Sequence, residues 1–78
     1  MPNYEYNLRV KMVEGAAAMD VCVGRTKLEG VSFCRIENLP DHFQLLMEHL
    51  ELPGSVVISL GNDLKRILRK IALGQELN

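Results

Sequence analysis

Few side chains in this sequence have types and spacing that could do chemistry: His42 and His49, Cys22 and Cys34, and two groups of cations. The histidines stand seven residues apart in a segment patterned as a helix, so they share a side. They are separated by about 10 Å of rise, too far to hold one metal ion between them. Both border an apolar stripe beside Leu45 and Leu52, which predicts partly buried histidines at a helix edge. Leu45 and Leu52 widen that stripe beyond what one core contact needs, so the edge is also a candidate for self-association. A two-residue turn at Glu29-Gly30 would set Leu28 against Val31, Arg25 against Cys34 and Cys22 against Glu37. The two sulfurs would then lie on opposite faces, about three residue steps apart, beyond the reach of a disulfide. Free thiols are expected. A dyad of either cysteine with His42 lacks a third, orienting group. The sequence carries no phosphate-binding loop, dinucleotide fingerprint, metal-ligand cluster or nucleophile elbow. The expectation is a non-enzyme with no catalytic residue, no metal and no cofactor.

The cations point to binding. One group is "KRILRK", which places Lys65, Arg66, Arg69 and Lys70 on the outer side of a C-terminal helix. Like charges three and four residues apart cost about 0.2–0.5 kcal/mol per pair. Asp63, three residues before Arg66, offsets part of this, and Asp41, Glu48 and Glu51 of the preceding helix could supply interhelix ion pairs. Phosphate or an acidic protein surface is the other candidate partner. The ending "DLKRILRKIAL" resembles the last helix of HicA-type ribonuclease toxins over about a seventh of the chain. The Gly-Ser-His stretch that carries their chemistry is missing here, so the resemblance assigns no residue a role.

The other group is a row Arg9–Gly24–Arg35, with Lys11 adjacent, on the open face of a sheet. A glycine between two arginines would let an anion or planar group approach the backbone while both guanidinium forks reach it. Phe33 is the one ring available there for stacking a nucleic-acid base, because the tyrosines share the buried parity of the first strand.

The elements that must position these residues follow from periodicity. "YEYNLRVKMV" alternates, with Tyr4, Tyr6, Leu8, Val10 and Met12 on one side, and reads as a half-buried strand. "EGAAAMD" reads as a loop, residues 20–28 as a second strand, and 31–37 as a third. Pairing the first two strands with Val10 opposite Val23 and Met12 opposite Val21 buries those residues with Ile36. Pro40 at a first helical position, Asp41 in the first turn and Pro53-Gly54 at the end bracket a helix whose inward stripe is Phe43, Leu46, Met47 and Leu50. "SVVISL" is apolar nearly throughout and reads as a fourth, interior strand. Asn62 then caps a last helix with Leu64, Ile67, Leu68 and Ile71 inward and Gly74 as its stop. The order is β-β-β-α-β-α: a single α+β domain over residues 1–78, with a small antiparallel three- to four-stranded sheet and two helices packed on one face.

One conflict runs through this reading. Before Gly24 the apolar parity carries Val21 and Val23; after it, the opposite parity carries Leu28, Val31 and Phe33. Either the sheet twists or bulges there, folding the tip over its own core, or Leu28, Val31 and Phe33 form an apolar patch pointing away from the helices.

Size and composition set the remaining bounds. Seventy-eight residues with 47% hydrophobic content make one small domain with a marginal core, built from aliphatic residues because only four are aromatic. A formal charge of −1 gives no overall pull toward nucleic acid or membrane. No apolar run approaches a membrane span and no signal-peptide pattern opens the chain, so the expected compartment is the cytoplasm. The expected function is regulation or inhibition by occupying a surface of a larger protein or nucleoprotein complex, with Leu28, Val31 and Phe33 as anchors and Arg9, Lys11 and Arg35 steering. Direct RNA or DNA binding through the basic residues is the alternative, and a homodimeric structural module a further one.

Overall fold

The computed structural model describes residues 5–77. Three strands, β1 (Tyr6–Val13), β2 (Ala16–Val23) and β3 (Thr26–Arg35), form an antiparallel meander in the order β1-β2-β3. A single 3-10 turn, Ile36–Asn38, leads into α1 (Leu39–Leu50), and α2 (Gly54–Ala72) follows almost at once. The expected α+β architecture with two helices on one sheet face is present, α1 over β3 and α2 over β1.

The strands are bounded by two-residue turns. Glu14 and Gly15 both have positive φ, 49° and 83°, the requirement of a hairpin turn whose twist matches its strands. Gly24 has φ 58° and Arg25 does not share it, so the second turn needs its glycine at the first central position. Two expectations are corrected here. "EGAAAMD" is a turn followed by strand, not a loop, and the second hairpin closes at Gly24-Arg25, not Glu29-Gly30. The chain holds two Glu-Gly dipeptides, and the first is the one that turns. Placing the turn there puts Ala17, Met19, Val21 and Val23 in alternation opposite Met12, Val10, Leu8 and Tyr6. The register of Val10 against Val23 is thereby replaced by Val10 against Met19. Tyr4 of the predicted alternation lies outside the described residues.

That alternating face meets the helices. Ala17, Met19 and Val21 are fully buried with Leu39 and Leu60, and Leu46, Met47 and Leu64 complete the cluster. α1 begins as expected, with Pro40 in its first turn and Phe43 and Leu50 packed on the core, and ends with Glu51 in a left-handed conformation. "SVVISL" is not a fourth strand. It forms the first turns of α2, because Val56, Val57, Leu60, Leu64, Leu68 and Ile71 keep helical spacing straight through it. Asn62 is accordingly an exposed mid-helix residue and not a cap. Gly74 does end the helix: its N–H and that of Gln75 reach back to the carbonyls of Ile71 and Lys70.

The side assignments are open to measurement. Met19→Ala should lower unfolding free energy by about 2–5 kcal/mol in denaturant titration, the range for emptying a filled core site. Phe33→Ala, on the other face, should cost less than about 1 kcal/mol.

Candidate binding face on the open side of the sheet

β3 has ten residues against eight in β2, and the surplus is absorbed in two places. Between the pairs Ala17–Cys34 and Met19–Val31, the single residue Ala18 opposes both Ser32 and Phe33. Between Val21–Glu29 and Cys22–Lys27, the extra residue is Leu28. Each is a β-bulge; the first sits opposite Ala18 of the helix-free face, and the second falls between the pairs made by Val21 and Cys22. Ser32 and Phe33 therefore project with Ala18 onto the open face, while Cys34 resumes the helix side opposite buried Ala17. The parity conflict of the sequence is resolved by these bulges. Phe33 is 50% exposed and Leu28 43%. Val31 is the exception in the predicted trio: it pairs with Met19 and packs against the core, so it is not a surface anchor.

The open face reads in rows across the three strands: Asn7–Cys22–Lys27, then Arg9–Asp20–Gly30, then Lys11–Ala18 with Ser32 and Phe33, then Val13–Ala16–Arg35. The predicted row Arg9–Gly24–Arg35 does not exist as a register. Arg35 sits at the opposite end of the sheet from Gly24 and pairs through Nε with Glu37 Oε1 at 2.6 Å. Arg9 does reach Gly24, but through its side chain: Nη2 donates to the Gly24 carbonyl at 3.2 Å, beside Asn7 Nδ2 at 3.4 Å. The Gly24 N–H donates to Glu5 O at 3.0 Å, so the second hairpin is fastened to β1 on both sides of its turn glycine.

At the centre of this face lies an open groove of about 590 Å³ bordered by Arg9, Lys11, Asp20, Lys27, Ser32 and Phe33. Its floor is made of small residues, Ala18 and Gly30. Asp20 and Lys27 form a half-exposed pair at 3.7 Å that crosses directly over Gly30. Four cations, Arg9, Lys11, Lys27 and Arg35, thus share the face with one carboxylate on the strands, in a chain whose formal charge is −1. With Lys27 and Arg35 each beside a carboxylate, Arg9 and Lys11 are the cations of the groove that have no ion-pair partner among the described residues. Lys27 was a groove residue that sequence reasoning missed, because it is the turn at Gly24-Arg25 that sets it opposite Cys22 on this side.

The remaining candidates fall elsewhere. Lys65, Arg66, Arg69 and Lys70 belong to α2, on the other side of the sheet from Arg9 and Lys11, so the two cationic groups do not form one surface. Arg66 pairs with Asp63 as its spacing predicts. Among the described residues no ion pair joins Asp41, Glu48 or Glu51 to the α2 cations. His49 Nε2 stands 3.6 Å from Glu29 Oε2 at the junction of α1 and β3, where His42 and Leu45 also lie. Cys22 and Cys34 are free thiols on opposite sheet faces. No group of metal-binding side chains occurs among the described residues, and no helix among them is long and apolar enough to cross a membrane. No protein-family model, curated protein or solved structure matches the chain.

A Cβ on Gly30 would fall 2.9 Å from Lys27 Cε and closer still to the Asp20 carboxylate. Gly30→Ala should therefore displace the Asp20–Lys27 pair, visible as changed carboxyl and ammonium resonances, while stability moves by less than about 1 kcal/mol because the pair is half exposed.

Proposed function

We propose that this domain works by binding: its helix-free sheet face docks on an acidic surface of a larger protein or nucleoprotein complex, regulating or inhibiting what that surface does. The observation that carries the reading is the pair of bulges in β3, which sets Phe33 on the face that bears Arg9, Lys11 and Lys27 and leaves Leu28 exposed near the hairpin tip. Burying a large apolar side chain inside stabilises a small domain by about 1.5–3 kcal/mol, so two such residues spent on the surface weigh against a purely structural role. An aromatic ring beside unpaired cations over a small-residue floor has the makeup of a binding hot spot with a charged surround. Leu28 and Phe33 serve as anchors, Arg9 and Lys11 as steering charges, and Arg35 lies at the margin. Cytoplasmic residence belongs to the same reading, in keeping with two unpaired thiols.

Direct binding of RNA or DNA is the second reading, favoured by Phe33 standing on the same groove as Arg9 and Lys11. It ranks lower because one exposed ring makes a short stacking platform and the α2 cations cannot extend it.

Affinity capture with the tagged chain tests both readings. The wild type should retain a protein partner, Phe33→Asp should weaken retention at least about a hundredfold, as loss of a hot-spot residue does, and Lys11→Glu should slow association most at low salt. Circular dichroism and melting of both variants should match the wild type. Equal capture by Phe33→Asp rules out this face. Retention of labelled RNA or DNA with a steep salt dependence would transfer the assignment to nucleic acid.

A further inference from the structure

On the helix side of the molecule a second surface is left unfilled, and nothing in the proposed function uses it. α1 and α2 both pack on the sheet and meet in its core cluster, and between them, outside that cluster, runs an open apolar groove of about 480 Å³. Pro40, Phe43 and Met47 line it from α1, and Val57, Leu64 and Leu68 from α2. Overlapping it, α2 carries a stripe of which only Leu68 packs against the core: Gly54, Ile58, Gly61, Lys65, Leu68 and Ala72, at alternating steps of four and three. Ile58 in this stripe is 68% exposed. Gly61 sits mid-helix, where glycine is the least favourable residue after proline, yet a Cβ there would meet nothing within 4 Å. The chain's own packing gives no reason for it.

We infer that the groove is filled by α2 of a second copy of this chain, the two α2 helices crossing antiparallel about a two-fold axis near Asp63. A parallel pair would set Lys65 against Lys65 and leave Gly61 facing Gly61, whereas the stripe is self-complementary in the antiparallel arrangement. Ile58 faces Leu68 of the second copy, Gly61 faces Lys65, and Gly54 faces Ala72. Large meets large in the two Ile58–Leu68 layers, small meets small at the Gly54–Ala72 ends, and the long Lys65 stem lies over the space that Gly61 leaves. An isologous interface requires this kind of match, in which one patch fits itself reversed. Charge supports the same occupant. On α1, Glu48 and Glu51 each follow by one helical turn a residue that lines the groove, Gln44 and Met47, while on α2 Lys65 lines it and Arg69 follows one turn later; among the described residues none of these four charges has an ion-pair partner in the chain. A second α2 seated in the groove brings the cations of one copy to the acidic rim of the other. The proposal is independent of the sheet face, which the helix pair leaves uncovered.

Sedimentation of the full chain at low micromolar and at near-millimolar concentration tests it, with two variants chosen for opposite effects on the monomer. The wild type should move from the 8.8 kDa monomer toward twice that mass as concentration rises. Ile58→Glu, at a position exposed in the monomer, should keep its circular dichroism and remain monomeric throughout. Gly61→Leu has room to fold into the monomer's own groove, so it should raise the thermal midpoint while weakening association about tenfold or more, since close packing of the pair leaves no place for it. A wild type that stays at monomer mass at both concentrations overturns the inference. So does association of Gly61→Leu equal to the wild type, which would place any dimer on another face even if Ile58→Glu failed to fold.

Discussion

The difference of two residues between β3 and β2 governs how this molecule presents itself. A strand has a period of two, so each surplus residue must either shift the register of everything beyond it or be expelled locally as a bulge. Here both are expelled, and the core side of the sheet stays in phase: Glu29, Val31 and Cys34 face the helix layer opposite Val21, Met19 and Ala17. A regular strand would have carried Phe33 inward with Val31. Instead Cys34, a far smaller side chain, takes the inward place, and α1 can settle close to the sheet. The same event that lets the helix approach puts an aromatic ring on the open face. Core packing and surface chemistry are two consequences of one backbone irregularity.

Much of this was legible from residue types, and the failures have identifiable causes. The alternation Tyr6, Leu8, Val10 marks β1, and the stripe Phe43, Leu46, Met47, Leu50 marks α1, because long side chains of one class recur at one period. The run Ala16–Ala18 has no such contrast; small residues look alike whichever way they face, so a strand resembled a loop and fully buried Met19 was passed over. "SVVISL" misled in the opposite sense. Its β-branched residues favour a strand locally, but the burial of Leu60 and Leu64 one turn apart outweighs a propensity difference of a few tenths of a kcal/mol per residue. At the candidate site, the conflict with the β2 parity left Leu28, Val31 and Phe33 open between a tip folded on its core and an outward patch; Leu28 and Phe33 are exposed, while Val31, in the same conflict, packs inward. The arginine row was not readable, since it depended on which of two Glu-Gly dipeptides turns the chain. No local signal separates them; what decides is that only the earlier turn gives β2 an apolar face matching β1 along its whole length.

The two uncovered surfaces differ in kind, and the difference follows from layer geometry. On the sheet's open face, bulges and cross-strand pairs gather cations around small residues, giving a polar face with isolated apolar points. On the helix side, two helices spaced over a three-stranded sheet leave an apolar cleft that their own side chains do not close. A domain of this size buries only about 60% of its unfolded surface, so an apolar cleft is a substantial part of its hydrophobic balance. The exposed β3 edge is a poorer docking place than either, because its bulges interrupt the hydrogen-bonding row that another strand would need.

Because the cleft and the cationic face lie on opposite sides of one sheet, occupying one does not obstruct the other. Two copies joined through α2 would carry their open faces outward, away from the shared axis, each with its own Phe33, Arg9 and Lys11. A single copy meets an acidic surface once. The pair meets two such surfaces, or two sites on one assembly, and when both can engage together the second contact is intramolecular, which strengthens attachment by orders of magnitude without a new contact. The modest area of a 78-residue domain would otherwise limit how tightly it could hold a large partner. Doubling the face through the helices answers that limit while leaving the β3 bulges, and the residues they expose, unchanged.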